Sequence, residues 1–235
     1  MPGLWNFGEW GGRNHRNNTT TVRDASFVVT DTELTGLNER KDSIVSLGAV
    51  RMHGGRIFLG DPFYRLVRPR TVLTRESVII HGIMPSEVAE EKEISSVLAE
   101  FMDFCGDAVL VGYYIGIDLT FIDRELKRML GRRLAVPVVD IAELYAWLLG
   151  RNLLQQCIKE PPGQPDLYAL ADCLDIAIAE SHHAMVDAFI TAQVFQRFLP
   201  LLQQEGIVTV GDLVRIGDPH GGGDRFRSIG EIGSL

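Results

Sequence analysis

Residues 26–34 read SFVVTDTEL, an apolar run that ends in two carboxylates, Asp31 and Glu33. Ser26 to Thr30 has the length and β-branched content of a buried strand. Side chains alternate across a strand, so residues two apart point to the same side. If strand geometry persists through residue 33, Asp31 and Glu33 converge on one cation. If the strand simply exits into a polar loop, they do not. The chain contains its own comparison, Asp123-Arg124-Glu125, the same pattern set in a helical stretch. There, residues two apart diverge by roughly 200° and cannot chelate together.

Working outward, further apolar runs predict strands at Ile44 to Val50 (IVSLGAV), Ala108 to Val111 (AVLV) and Val136 to Val139 (VPVV). A weaker strand is expected through Ile57 to Leu59, before Phe63 to Val67, with Gly54-Gly55 as the hairpin turn before it. Ile94, Val97, Leu98 and Phe101 recur at helical spacing, as do Leu119, Ile122, Leu126 and Met129. Asp140 and Asp166 each precede such a segment and read as N-caps. Early antiparallel strands followed by strands alternating with helices predict an α/β fold, a mixed sheet with helices on both faces.

The 235 residues suit one domain with appendages. We expect a flexible extension over 1–23, the main domain over 24–203, and an extension over 204–235 that is Gly-rich and mobile from about 217. Trp5, Phe7 and Trp10 are unusual for a pure linker and suit docking on the body or on a partner. No apolar run approaches the ~18 residues of a membrane helix, and the first residues lack the pattern of a secretory signal. Cys105, Cys157 and Cys173 are odd in number and widely spaced. These features lead us to expect a cytoplasmic protein with free thiols, no thiolate zinc site and no membrane partner. A net charge of −8 argues against a general binder of duplex DNA. It argues less against an enzyme that grips one strand end with the help of bound cations.

Asp118 lies one turn before Ile122, near the apolar face of its helix. It is either an acid complementing the helix dipole or an oxygen ligand, if other carboxylates arrive at the same place. Asp187 is the only formal charge between Ala184 and Gln196 and shares a stripe with Thr191, Val194 and Phe198. A carboxylate buried there requires an Arg partner, a raised pKa or a metal. His182 and His183 precede that helix and are either a polar cap or, five residues from Asp187, close enough to act on a reactant held by it. An imidazole exchanges protons near neutral pH, which suits the activation of water. Four carboxylates without a suitable thiolate suggest Mg²⁺ or Mn²⁺. Two such ions clamp an in-line phosphoryl displacement, so the chemistry indicated is phosphodiester hydrolysis.

TDTELTGL at 30–37, VGYYIGID ending at Asp118, and HHAMVDA at 182–188 resemble the three motifs of the DEDDh 3′–5′ exonuclease superfamily. That superfamily includes the proofreading epsilon subunit of bacterial DNA polymerase III, RNase T and oligoribonuclease. The similarity spans about residues 25–200; IVSLGAV and the HGI at His81 to Ile83 add to it. The resemblance implies an RNase H-like fold, a five-stranded mixed sheet whose second strand runs antiparallel to the others. It implies that Asp31, Glu33 and Asp187 bind one Mg²⁺ (or Mn²⁺), that Asp31 bridges to a second steadied by Asp118 through water, and that His182 is the general base. Thr32, Thr35, Leu37, Glu76, His81 and Ile83 would contact the terminal nucleotide, and 5′-mononucleotides would be released from a 3′ end.

The chain departs from the family at Tyr113-Tyr114, where His-Asn is usual, at Ile117 in place of Phe, and at Leu34 in place of a frequent Thr. His183 stands where a sister branch has its catalytic Tyr; the spacing favours His182. Tyr113 and Tyr114 fall on the strand path, so they bear on substrate preference and not on the metals. The reading that results is an exonuclease on DNA 3′ ends, single-stranded DNA favoured, with a polymerase or other protein as a possible partner. The alternatives are an exoribonuclease on short or structured RNA ends and a non-catalytic polymerase-docking module. Arg124, Lys127, Arg128, Arg132 and Arg133 are either a solvated helix face or a guide for the phosphate backbone.

Overall fold

Strand β1 (Ser26–Leu34) continues through both carboxylates and sits in the middle of the sheet. The computed structural model describes residues 18–159, 161–178 and 181–219. Trp5, Phe7, Trp10 and the glycine-rich segment from His220 onward lie outside them. The sheet has the order β3-β2-β1-β4-β5, with β2 (Ile44–His53), β3 (Arg56–Leu66), β4 (Val109–Gly112) and β5 (Val138–Asp140). β2 is antiparallel to β1 and β3, whereas β4 and β5 are parallel to β1, so β2 alone runs against the rest.

Two strands differ from their expected outlines. β3 is one strand where the sequence suggests two pieces, and it bends at a register shift opposite Ala49 to Arg51. It is a mostly exposed edge strand, which accommodates Pro62 and leaves little apolar alternation to read. β5 begins at Val138 and not at Val136, because Pro137 has no N–H and contributes only its carbonyl, which accepts from Leu110 N (2.9 Å). The hairpin between β2 and β3 turns at Gly54 (φ +52), where a Cβ would lie 2.5 Å from the carbonyl of Arg23.

The helices cover both faces, as the alternation within β1 requires. Phe27 and Val29 point into one core with Val50, Met52, Val109 and Val111. Helices α5 (Ile141–Leu149), α6 (Leu167–Cys173), α7 (Ala184–Gln204) and α8 (Val210–Ile216) close that side. Val28 points the other way, with Leu47, Ala49 and Leu110, against α3 (Ile94–Cys105) and α4 (Gly116–Leu130). Two short helices, α1 (Arg75–His81) and α2 (Pro85–Val88), follow β3. Asp140 and Asp166 cap α5 and α6, accepting from Ala142 N (2.8 Å) and Ala169 N (2.7 Å). Residues 18–22 bond along 208–211 (Val22 N to Val208 O, 2.8 Å; Val210 N to Thr20 O, 2.9 Å), and Asp140 N donates to Gly217 O (2.7 Å). The described parts of both outer segments are thereby tied to the domain. Cys105, Cys157 and Cys173 are free thiols, and no helix among the described residues is long and apolar enough to cross a membrane.

Candidate active site

Because β1 persists to Leu34, Asp31 and Glu33 project from one face of it, the face covered by α7. That helix approaches the sheet unusually closely at its first turn. Gly48 is the residue of β2 paired with Asp31, and a Cβ on it would lie 2.3 Å from the backbone of Ala184 and Met185. Only a glycine admits this contact of backbone against strand. The contact brings Asp187, one turn into α7, over β1. Asp31, Glu33 and Asp187 then each offer a carboxylate oxygen within 4.8 Å of the other two.

The electrostatics of this group are unfavourable for bare carboxylates. Burial, then repulsion from Asp118, Glu33 and Asp187, holds Asp31 well above the usual carboxylate range. Burial and the charges of Asp187 and Asp118 push Glu33 up to about 8. Burial raises Asp187 as well, opposed by the Tyr168 hydroxyl and by the nearby His182 and His183. Asp187 Oδ2 accepts from Tyr168 Oη at 2.6 Å, while Oδ1 is buried without a hydrogen-bond partner. Among the described residues no lysine or arginine pairs with it. Three converging carboxylates with an orphaned buried oxygen form a donor set of the kind a hard divalent cation takes.

Asp118 enters from the opposite side of β1. Thr32 points away from Asp31 and Glu33, and its hydroxyl donates to Asp118 Oδ1 at 2.5 Å. Asp118 therefore lies outside the cluster of three while remaining the largest single repulsion on Asp31. Burial raises it to about 7, moderated by the Thr32 bond and its place in the first turn of α4. Asp118 is thus an acid in the first turn of a helix and also a neighbour of other carboxylates. The Asp123–Glu125 pair behaves differently. Asp123 accepts from Leu134 N (2.8 Å), while buried Glu125 faces Arg124 (3.0 Å) and Arg70 (3.6 Å). Arg124 also donates to Glu39 O (2.6 Å), which ties α4 to the loop between β1 and β2.

The histidines divide. His183 is the N-cap of α7 yet makes no side-chain capping bond; its ring stacks on Tyr64, with centroids 4.5 Å apart. His182 is exposed, lies edge-on to Tyr168 (5.1 Å) and has a backbone φ of +57. His81 is buried beside it; burial and the charge of His182 hold its imidazole below the usual range. His81 Nδ1 accepts from Ile83 N (3.0 Å), so the neutral ring carries its proton on Nε2, which is buried and unpartnered. Leu37 is 60% exposed and Glu76 is exposed, both available to a ligand. Thr35 and Ile83 are not: Thr35 bonds Asp42 (3.0 Å) inside its loop, and Ile83 packs with Val45 and Val88.

Two residues at the site had no signal in the motifs. Tyr168 contacts both Asp187 and His182, yet in sequence it is one apolar-periodic residue of α6. Asp140, raised to about 7 by burial, caps α5 and also accepts from Tyr114 N (3.0 Å), fixing the Tyr113–Tyr114 turn. A cap was legible there; the second bond was not.

The raised carboxyls make stability depend on pH. A carboxyl with a raised folded-state pKa binds its proton more tightly folded than unfolded, so stability is fully present below the unfolded values near ~4 and is lost as pH rises through the folded ones. For Asp118 and Glu33 that loss extends to about 7 and about 8. In chelator, the melting temperature is expected to fall by several degrees between about pH 5.5 and about pH 8.5, and divalent cation is expected to restore it at the higher pH. A flat or rising profile in chelator would contradict the clustering of charge.

A family model described as Exonuclease, of the RNase T type, matches residues 28–195. A DNA polymerase III subunit epsilon-like protein of Rhodobacter capsulatus is 35% identical over 205 residues, covering 86% of this chain and 28% of that protein. DNA polymerase III PolC-type of Thermotoga maritima is 30% identical over 199 residues, 85% of this chain and 14% of that one. The chain thus spans between about a seventh and about a quarter of the length of these relatives. Among solved structures, E. coli exonuclease I in complex with a dT13 oligonucleotide superposes with a TM-score of 0.66 at 16% identity, covering 78% of this chain and 43% of the other. A five-stranded mixed sheet, three motifs in order and a family model covering most of the described residues agree: the chain belongs to the RNase T-type exonuclease family.

Proposed function

We propose that the chain is a metal-dependent 3′–5′ exonuclease that hydrolyses the terminal phosphodiester of DNA and releases 5′-mononucleotides. The observation that carries the reading is the meeting of Asp31, Glu33 and Asp187 within 4.8 Å, with Asp187 Oδ1 unpartnered. These three would hold one divalent cation, and Asp31 with Asp118 would border a second, Mg²⁺ or Mn²⁺. Bound there, the cations supply Lewis acidity to the scissile phosphate and neutralise the cluster. His182, exposed beside Asp187, takes the proton of the attacking water. His81 offers an Nε2–H donor, and with Glu76 and Leu37 it borders the terminal nucleotide, whereas Thr32 faces Asp118 and is not part of that wall. Thr35 and Ile83 shape this wall from behind, through the loop and the His81 bond.

DNA is favoured over RNA because the relatives are DNA polymerase III proteins and a structural neighbour was captured with dT13. The same relatives suggest a polymerase as partner. The test is release of mononucleotides from matched single-stranded DNA and RNA with Mg²⁺, with Mn²⁺ and with chelator. The expected outcome is metal-dependent release from the DNA 3′ end. Faster turnover of RNA would overturn the substrate, and inactivity on every 3′ end with Mn²⁺ would make the non-catalytic docking role the better reading.

A further inference from the structure

We infer that Tyr168 is a positioning residue whose single hydroxyl fixes both a metal-holding carboxylate and the general base; this rests on the function proposed above. Tyr168 Oη lies 2.6 Å from Asp187 Oδ2 and 2.6 Å from His182 N. The backbone amide of His182 is necessarily the donor in its bond, so the hydroxyl accepts there. Its only hydrogen is then directed at Asp187 Oδ2. That bond occupies one carboxylate oxygen and leaves the other, Oδ1, buried and without a partner, in a residue that offers an oxygen to the cluster with Asp31 and Glu33. Tyr168 thereby selects which atom of Asp187 meets the cation.

The second bond acts on His182. A non-glycine residue with φ near +57 occupies a sparsely populated conformation that persists only when its surroundings hold it. The His182 N–H to Tyr168 bond and the edge-on ring contact at 5.1 Å supply that hold. Tyr168 is itself on a fixed element, because α6 is capped by Asp166 and anchored by buried Leu167, Leu170 and Ala171. Two other tyrosines, half-buried Tyr113 and buried Tyr145, use their hydroxyls differently. Tyr113 and Tyr145 donate to the backbone carbonyls of Pro165 and Pro162, contacts that secure a loop. Tyr168 donates into the carboxylate cluster instead.

Groups that orient metal-holding side chains typically contribute ~10–100-fold in metal affinity. Calorimetric titration of the full chain with Mn²⁺ alone is expected to give ~10–100-fold weaker binding for Tyr168→Phe than for wild type. With saturating Mn²⁺, its kcat on single-stranded DNA is expected to fall while KM stays within about twofold. Tyr145→Phe, which removes a hydroxyl bonded to the carbonyl of Pro162, is expected to lower the melting temperature and leave Mn²⁺ affinity unchanged. If Tyr168→Phe does not fold, Tyr168→Leu, which likewise lacks the hydroxyl, is titrated in its place with the same loss expected. Wild-type Mn²⁺ affinity in whichever variant folds would overturn the inference alone. A wild-type chain that binds no Mn²⁺ would overturn the functional reading, and the inference with it.

Discussion

Asp187→Ala is expected to lower kcat on single-stranded DNA by at least ~10³-fold while leaving the fold intact, and to stabilise the metal-free protein at alkaline pH. The loss follows from the role proposed for the cluster. Cation binding to a transferring phosphoryl group contributes several kcal/mol, and each ~1.4 kcal/mol is a tenfold rate. The gain in stability follows from the same residue seen without a cation. Asp187 is 5% exposed, its pKa is raised by burial, and its charge raises those of Asp31 and Glu33. Removing it relieves two neighbours at once, so the melting temperature in chelator at about pH 8.5 should rise. Opposite signs for activity and stability distinguish a functional carboxylate from a structural one. Retained activity, or loss of activity through unfolding, would sink the assignment.

Gly48→Ala tests the architecture and not the chemistry. A methyl group there would meet the backbone of Ala184 and Met185 at 2.3 Å, and neither backbone is a flexible end that can swing aside. Either α7 lifts from the sheet or β2 bends. Overpacking of this kind costs ~1–3 kcal/mol, and ~2–4 °C of melting temperature accompanies each kcal/mol in a chain of this size. Moving Asp187 and His182 away from Asp31 and Glu33 by ~1 Å is expected to lower kcat by about 10²-fold, though no reacting group has changed. Mn²⁺ affinity should fall in parallel. Wild-type turnover in Gly48→Ala would mean that the close approach of helix to strand is incidental.

The parts of this site that could be read along the chain are those whose reason is local. Asp31 and Glu33 share a face because strand side chains alternate, and the helical Asp123–Glu125 pair was separable from them on the same ground. Asp187 was conspicuous as a lone charge in an apolar helix, and Asp140 and Asp166 as caps. β3 was blurred because an exposed edge strand carries little apolar pattern, and β5 was placed two residues early because Pro137 resembles a strand residue but has no N–H. Arg124 reads along the chain as part of a solvated helix face before it reads as a phosphate guide; in the fold it bonds Glu39 O and Glu125.

The sequence by itself determined the family, the mixed sheet and the acidic identity of the site, since periodicity and motif order are properties of neighbours along one chain. Only the tertiary structure decided which oxygen of Asp187 is left unpartnered, that His183 is held by stacking while His182 is exposed, that Thr32 rather than Asp31 reaches Asp118, and that Gly48 sets the depth of α7. Each of these depends on a contact between segments distant in the chain, a hydrogen bond or a backbone approach that no local preference encodes. Tyr168 illustrates the division most plainly, because its place in α6 is periodic and ordinary, and its meaning lies in the 2.6 Å to Asp187.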